Sequence, residues 1–96
     1  MVDKSTTVTV EVPRPLRAYC DDASELFISA TSVRTALAEL ERLYPDLYRN
    51  VCDETGAVRR HVNVFVNSAY LRDREGLETA LRPGDVLAIF PAVSGG

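Results

Sequence analysis

The chain has 96 residues, 46% of them hydrophobic and 26% charged, and its 11 basic and 14 acidic side chains leave a formal net charge of −3. That length allows one domain with a single modest core and leaves little room for a deep active site. The acidic balance argues against a nucleic-acid partner, and no apolar run reaches membrane-spanning length. The segment Met1 to Thr7 lacks the apolar stretch of a secretory signal, so a cytoplasmic location and a protein partner are expected.

Met1 to Thr6 is polar and expected to be loose. Thr7 to Val12 alternates strictly, with valines at 8, 10 and 12 on one face, the period-2 pattern of a half-buried strand. Pro13 and Pro15 end it, since neither can donate to a sheet ladder. Arg14 to Ser24 reads as a loop and Glu25 to Ser29 as a second strand, which together give a hairpin with a long connection.

From Thr31 the period changes. Thr31 or Ser32 can cap a helix, and Val33, Leu37, Leu40 and Tyr44 recur at helical spacing with Ala36 and Leu43 beside them. Glu39 and Arg42, three apart, support its exposed side. Pro45 turns Tyr44 away from helical dihedrals and ends the helix. Between Pro45 and Arg60, the residues Leu47, Tyr48 and Val51 suggest one helical turn, and Glu54-Thr55-Gly56 suggests a tight turn.

His61 to Asn67 is a strongly β-like run with valines at alternate positions and Asn63, Phe65 and Asn67 out of phase with them. After a polar stretch, Gly76 to Leu81 has the composition of a helical turn and Pro83-Gly84-Asp85 that of a β-turn. Val86 to Phe90 is the last strand, closed by Pro91. A lone amphipathic helix must bury its stripe on a sheet. The order therefore predicts an α+β domain over residues 1–96: a mixed sheet of four to five strands packed on one main helix, with the first and last strands paired at its centre.

Little in the chain resembles a catalytic centre. Cys20 and Cys52 are too few and too widely spaced for a metal cluster, and as thiols of a cytoplasmic protein they are expected to stay reduced and idle. His61, the only histidine, follows Arg59 and Arg60 and is expected to be a surface side chain. The final stretch Phe90-Pro91-Ala92-Val93-Ser94-Gly95-Gly96 is different. From Phe90 onward no side chain is charged, and after Val93 none is larger than serine. Residues 91–96 thus read as a flexible tail that can thread a narrow pocket and present the carboxylate of Gly96, since glycine permits close approach to the main chain. The sequence also allows an unremarkable frayed end.

The chain resembles the ubiquitin-like sulfur carriers of the MoaD/ThiS type, which have the β-grasp fold. The resemblance rests on the element order, on His61 to Asn67, on Leu81-Arg82-Pro83-Gly84-Asp85 before the last strand, and on the stretch from Phe90 to Gly96. It implies that an ATP-dependent, ubiquitin-activating-like enzyme adenylates the Gly96 carboxylate, with Gly95 as its slender approach. A sulfur source then displaces AMP to leave a thiocarboxylate, which a sulfur-accepting synthase uses. It implies no bound cofactor and no metal site: ATP and its metal ion come with the activating partner, and the chain itself is a co-substrate, not an enzyme. The repeat around Phe65 and Pro91-Ala92-Val93 are most similar to the actinobacterial carrier that supplies sulfur for cysteine synthesis, although Ser94 replaces an alanine common there. Ala92 stands where molybdopterin-type carriers often have a second proline. A small subunit of molybdopterin synthase, a protein modifier joined to lysines through Gly96, and a β-grasp binding module with an inert tail are the alternatives.

Strand phase locates an expected docking surface. Val62, Val64, Val66, Leu87 and Ile89 are assigned to the helix-facing side, because aliphatic side chains fill a small core well. Phe65 and Phe90 then lie on the outer face, with Phe27 as a third candidate, and exposed aromatics commonly mark protein interfaces. The expected partner-binding residues are Phe65, Phe90, Pro91, Ala92, Val93 and Ser94.

Overall fold

The computed structural model describes residues 7–67, 69–70 and 76–91. Its strands are β1 (Thr7–Glu11), β2 (Glu25–Ser29), β3 (Val62–Val66), β4 (Ala69–Tyr70) and β5 (Val86–Pro91), and its helices are α1 (Val33–Leu43) and α2 (Pro45–Val51). The strands form one mixed sheet in the order β2-β1-β5-β3-β4. β1 pairs antiparallel with β2 and parallel with β5, and β5 pairs antiparallel with β3. The last strand is therefore hydrogen-bonded on both sides, as the β-grasp expectation required.

α1 starts where a reciprocal cap satisfies its first amide groups. The backbone N–H of Thr35 donates to the Ser32 hydroxyl at 3.1 Å, and the backbone N–H of Ser32 donates to the Thr35 hydroxyl at 3.0 Å. Val33, Ala36, Leu37 and Leu40 are buried. They meet Val8, Val10, Leu26 and Ile28 of the hairpin and Val64, Leu87 and Ile89 of the centre in one cluster. Leu43, expected beside the stripe, is 43% exposed instead, because helical spacing sets it on the flank of the stripe, farther from the stripe's centre than Leu37 or Leu40. Tyr44 has left helical dihedrals, at φ −139° and ψ 72°, as the following proline demands.

The vague stretch after Pro45 resolves into two parts. α2 buries Leu47 and Val51, and its N-terminal proline needs no hydrogen-bond partner for a missing N–H. After it, Cys52 pairs with Val58 around a loop held by Asp53, whose carboxylate accepts from the backbone N–H groups of Thr55 at 2.8 Å and Ala57 at 3.2 Å. The hydrogen bonds from Thr55 hold the Asp53 carboxyl below its ordinary range. Arg14 to Cys20, expected as loop, is a 3-10 helix with Pro15 in its first turn. Its sequence has neither a strand's nor an α-helix's period, which is why alternation failed to find it. Further along, the main chain of residues 79–81 is stitched to 31–33 by Val33 N–H to the Thr79 carbonyl at 3.0 Å and Leu81 N–H to the Thr31 carbonyl at 2.9 Å. Among the described residues no helix is long and apolar enough to cross a membrane.

Candidate functional site

The root of the terminal stretch is set by the turn that begins β5. Gly84 sits at φ +87°, a conformation that favours glycine, and its N–H donates to the Thr7 carbonyl at 2.9 Å. One carboxylate oxygen of Asp85 accepts from the backbone N–H of Arg82 at 2.8 Å, and the other accepts from the Asn67 side-chain amide at 2.9 Å. Asn67 also accepts from the Val86 N–H through its own amide oxygen at 2.9 Å and donates its backbone N–H to the Val86 carbonyl at 2.9 Å. It does this at φ +50°, a left-handed conformation in which asparagine is enriched. Asn67 and Asp85 therefore clamp the start of β5 to the end of β3.

That clamp fixes register. Val66 faces Leu87, Phe65 faces Ala88, Asn63 faces Phe90, and Val62 faces Pro91, while on the other side Thr9, Val10 and Glu11 face Val86, Leu87 and Ala88. A slip by one residue would turn every β5 side chain to the opposite face and displace the chain end by about 3.4 Å. The sequence placed Asn67 on the face of Phe65 and missed its clamping role. The available signal was an asparagine closing a valine-rich strand, a residue that tolerates left-handed dihedrals.

The aromatics lie where strand phase put them. Val62, Val64, Val66, Leu87 and Ile89 point to the helices and are buried. Phe65 and Phe90 stand on the opposite face with ring centroids 5.6 Å apart and planes at 76°, an edge-to-face pair. Phe65 is half-buried and Phe90 is 47% exposed. They rim an open depression of about 610 Å³ whose floor includes Val86 and Ala88 and whose sides include Glu11 and Asn67. Phe27, 68% exposed, shares this face but is carried by β2, with β1 and β5 between it and Phe65. Three strand spacings separate them, roughly 14 Å, so the aromatics form a pair and an outlier.

Pro91, expected to close β5 off from a tail over 91–96, is the strand's last residue and faces Val62. A proline is tolerated at a strand end, where a ladder hydrogen bond is not required of it. Ala92, Val93, Ser94, Gly95 and Gly96 lie outside the described residues.

Among the described residues the remaining reactive side chains are not assembled into a site. Cys20 and Cys52 are free and buried on the helical side. Burial, followed by the nearby Asp53 charge, pushes the Cys52 thiol up to about 11, against a hydrogen bond with Tyr48 that pulls it down. Burial likewise raises Cys20, whose Sγ lies 3.5 Å from the Ala23 carbonyl oxygen. Such thiols are poor nucleophiles near neutral pH. His61 is exposed at the head of β3, as expected. No grouping among the described residues is suited to hold a metal ion.

Comparison with known proteins agrees with this geometry. The ThiS family matches residues 10–96. The sulfur carrier protein CysO of Mycobacterium tuberculosis is 33% identical over 91 residues, covering 93% of this chain and 98% of that protein. Its crystal structure superposes with a TM-score of 0.82 at 32% identity, over 90% of this chain and 99% of that one. In the crystal structure of the Amycolatopsis orientalis BexX/CysO complex, the matched chain gives a TM-score of 0.79 at 33% identity, over 93% of this chain and 99% of that one. The small archaeal modifier protein 3 of Haloferax volcanii is 37% identical over 65 residues, 68% of this chain and 70% of that protein.

Proposed function

This chain belongs to the ThiS family, and on that premise we propose that it is a sulfur carrier protein whose Gly96 carboxylate is the reacting group. The observation that carries the proposal is the match to the CysO sulfur carrier across nearly the whole of both chains. The placement of β5 supports it: a strand bonded on both sides gives a threaded stem a rigid root. On this reading residues 1–96 form one domain, with the reactive stem beginning after Pro91.

The chemistry divides between carrier and partner. A carboxylate is a poor acyl donor, so an oxygen of the Gly96 carboxylate attacks the α-phosphorus of ATP, pyrophosphate leaves, and an acyl-adenylate results. A sulfide-level nucleophile then attacks the carbonyl carbon and AMP departs, leaving the thiocarboxylate. ATP, its metal ion and the groups that position them belong to the ubiquitin-activating-like partner. On this reading the chain acts as co-substrate, and the buried thiols of Cys20 and Cys52 take no part in the transfer. The need for ATP fits the cytoplasmic setting expected from the sequence. Phe65, Phe90 and Pro91, with the stem residues from Ala92 to Gly95, are the proposed contacts to that enzyme. A sulfur-accepting synthase, most naturally one that makes cysteine, follows it.

The test is intact-protein mass spectrometry of the carrier isolated from its own cells. Exchange of one oxygen for sulfur at the C-terminal residue is the expected result. A second reading, a protein modifier, is favoured by the likeness to the archaeal modifier. It predicts branched peptides in which the Gly95-Gly96 remnant is joined to lysines of other proteins, with no thiocarboxylate.

A further inference from the structure

A stem without charge or bulk gives a partner no handle on how the carrier is rotated about it, so that orientation must be read from the residues around its root. There the sheet is polarised. On one flank of β5, Glu11 of β1 and Glu25 of β2 are paired directly across the strands, on the outer face and exposed. Among the described residues neither takes part in an ion pair. They border a depression of about 340 Å³ that also touches Phe90 and Arg17. The Arg17 Nε donates to the Val12 carbonyl at 2.9 Å, so the one guanidinium lining this depression is partly engaged by the main chain. On the other flank, Val62 faces Pro91, and immediately before it His61 and Arg60 are exposed, while the Arg59 Nε is engaged by the Arg49 carbonyl at 2.7 Å.

Like charges directly opposite on adjacent strands destabilise a sheet. A local feature that works against the fold marks a place where another demand operates. We propose that this charged collar, acidic through Glu11 and Glu25 and basic through Arg60, sets the rotational register in which the activating enzyme receives the carrier, that enzyme presenting a basic side chain to the carboxylates and an acidic one to Arg60. The inference rests on the sulfur-carrier reading and deepens it. Complementary charges at the rim of an interface act mainly on encounter rate and specificity, while the aromatic pair and the stem supply the holding contacts. The collar thus governs capture, and the chemistry at Gly96 proceeds unchanged once the stem is seated.

The experiment measures ATP-dependent adenylation of the full chain by its activating enzyme across a sodium chloride series, together with thermal unfolding. Glu11→Gln with Glu25→Gln should raise Tm by roughly 1 to 5 °C, because the repulsive pair is gone. The same double variant should lower kcat/KM by roughly 10-fold at low salt with kcat unchanged, and should flatten the salt dependence. Arg60→Glu should lower kcat/KM independently. A carrier that becomes more stable and at the same time a worse substrate is the signature a purely structural role would not give. Values of kcat/KM within twofold of wild type at low salt, an unaltered salt slope, or a loss confined to kcat would overturn the collar while leaving the carrier reading in place. Failure of the wild-type chain to be adenylated would overturn both.

Discussion

The two faces of the sheet are made from the same strands and differ at every alternate residue. On one, Val8, Val10, Leu26, Ile28, Val62, Val64, Val66, Leu87 and Ile89 are shut beneath the helices. On the other, Thr9, Glu11, Phe27, Asn63, Phe65 and Phe90 remain partly or largely exposed. The first face is aliphatic and closed, so changes there act on whether the chain folds. The second is mixed and open, so on the proposed reading changes there act on what a folded chain is recognised by. A period of two lets one short strand serve both purposes without compromise between them.

The sharpest way to break this division is at the end of the stem. Appending one residue after Gly96 converts the proposed reacting carboxylate into an internal amide, so adenylation should fall to background while thermal unfolding stays unchanged. Adenylation of the extended chain without prior trimming would remove Gly96 from the mechanism. The converse change is Leu40→Ala, in the helix stripe that closes the inner face. It should cost about 2 to 5 kcal/mol in denaturant unfolding, and molecules that remain folded should be adenylated normally. If their kcat/KM drops, the faces are coupled.

The buried thiols sharpen the inner face in a third way. The folded-state value of Cys52, about 11, lies above the 9.0 of an ordinary cysteine, so between these limits the unfolded chain releases a proton that the folded chain retains. The contribution of this thiol is therefore fully present below pH 9 and is lost as pH rises toward 11, by up to roughly 2 to 3 kcal/mol. Cys20 and Tyr48 are raised too and act with the same sign. Cys52→Ala should flatten the decline seen by chemical denaturation at successive pH values, and should leave sulfur loading intact. The smallest effect is expected at Phe65→Ala. Half-buried and packed edge-on against Phe90, it should cost about 1 kcal/mol of stability and weaken binding to the activating enzyme by about 1 to 2 kcal/mol. A loss of 3 kcal/mol or more in folding, the range of a core phenylalanine, would move Phe65 to the inner side of the comparison.

Legibility in the sequence followed the same division. β1 and β3 were readable from alternation and α1 from its stripe and cap, because each buries one face and leaves the other wet, while β5 was readable as an apolar run between a turn and Pro91. Even the outward phase of Phe65 and Phe90 followed from the valines beside them. β4 was not foreseen, since two residues carry no period. Arg14 to Cys20 was hidden because 3-10 geometry follows neither template, although Pro15 at its start was a usable sign. The polarised collar could not be read at all. Glu11, Glu25 and Arg60 are scattered along the chain, and only the pairing of β1 with β2 and of β3 with β5 gathers them about one strand end.

The parallel pairing of β1 with β5 has a mechanical consequence. β1 begins and β5 ends at opposite ends of the sheet, and β5 is bonded along both edges. Tension along the C-terminal stem therefore loads the ladders on both sides of β5 in shear, with many hydrogen bonds strained together instead of parting one by one. A partner that grips the stem tightly can release it, or have it drawn out, without unravelling the domain behind it.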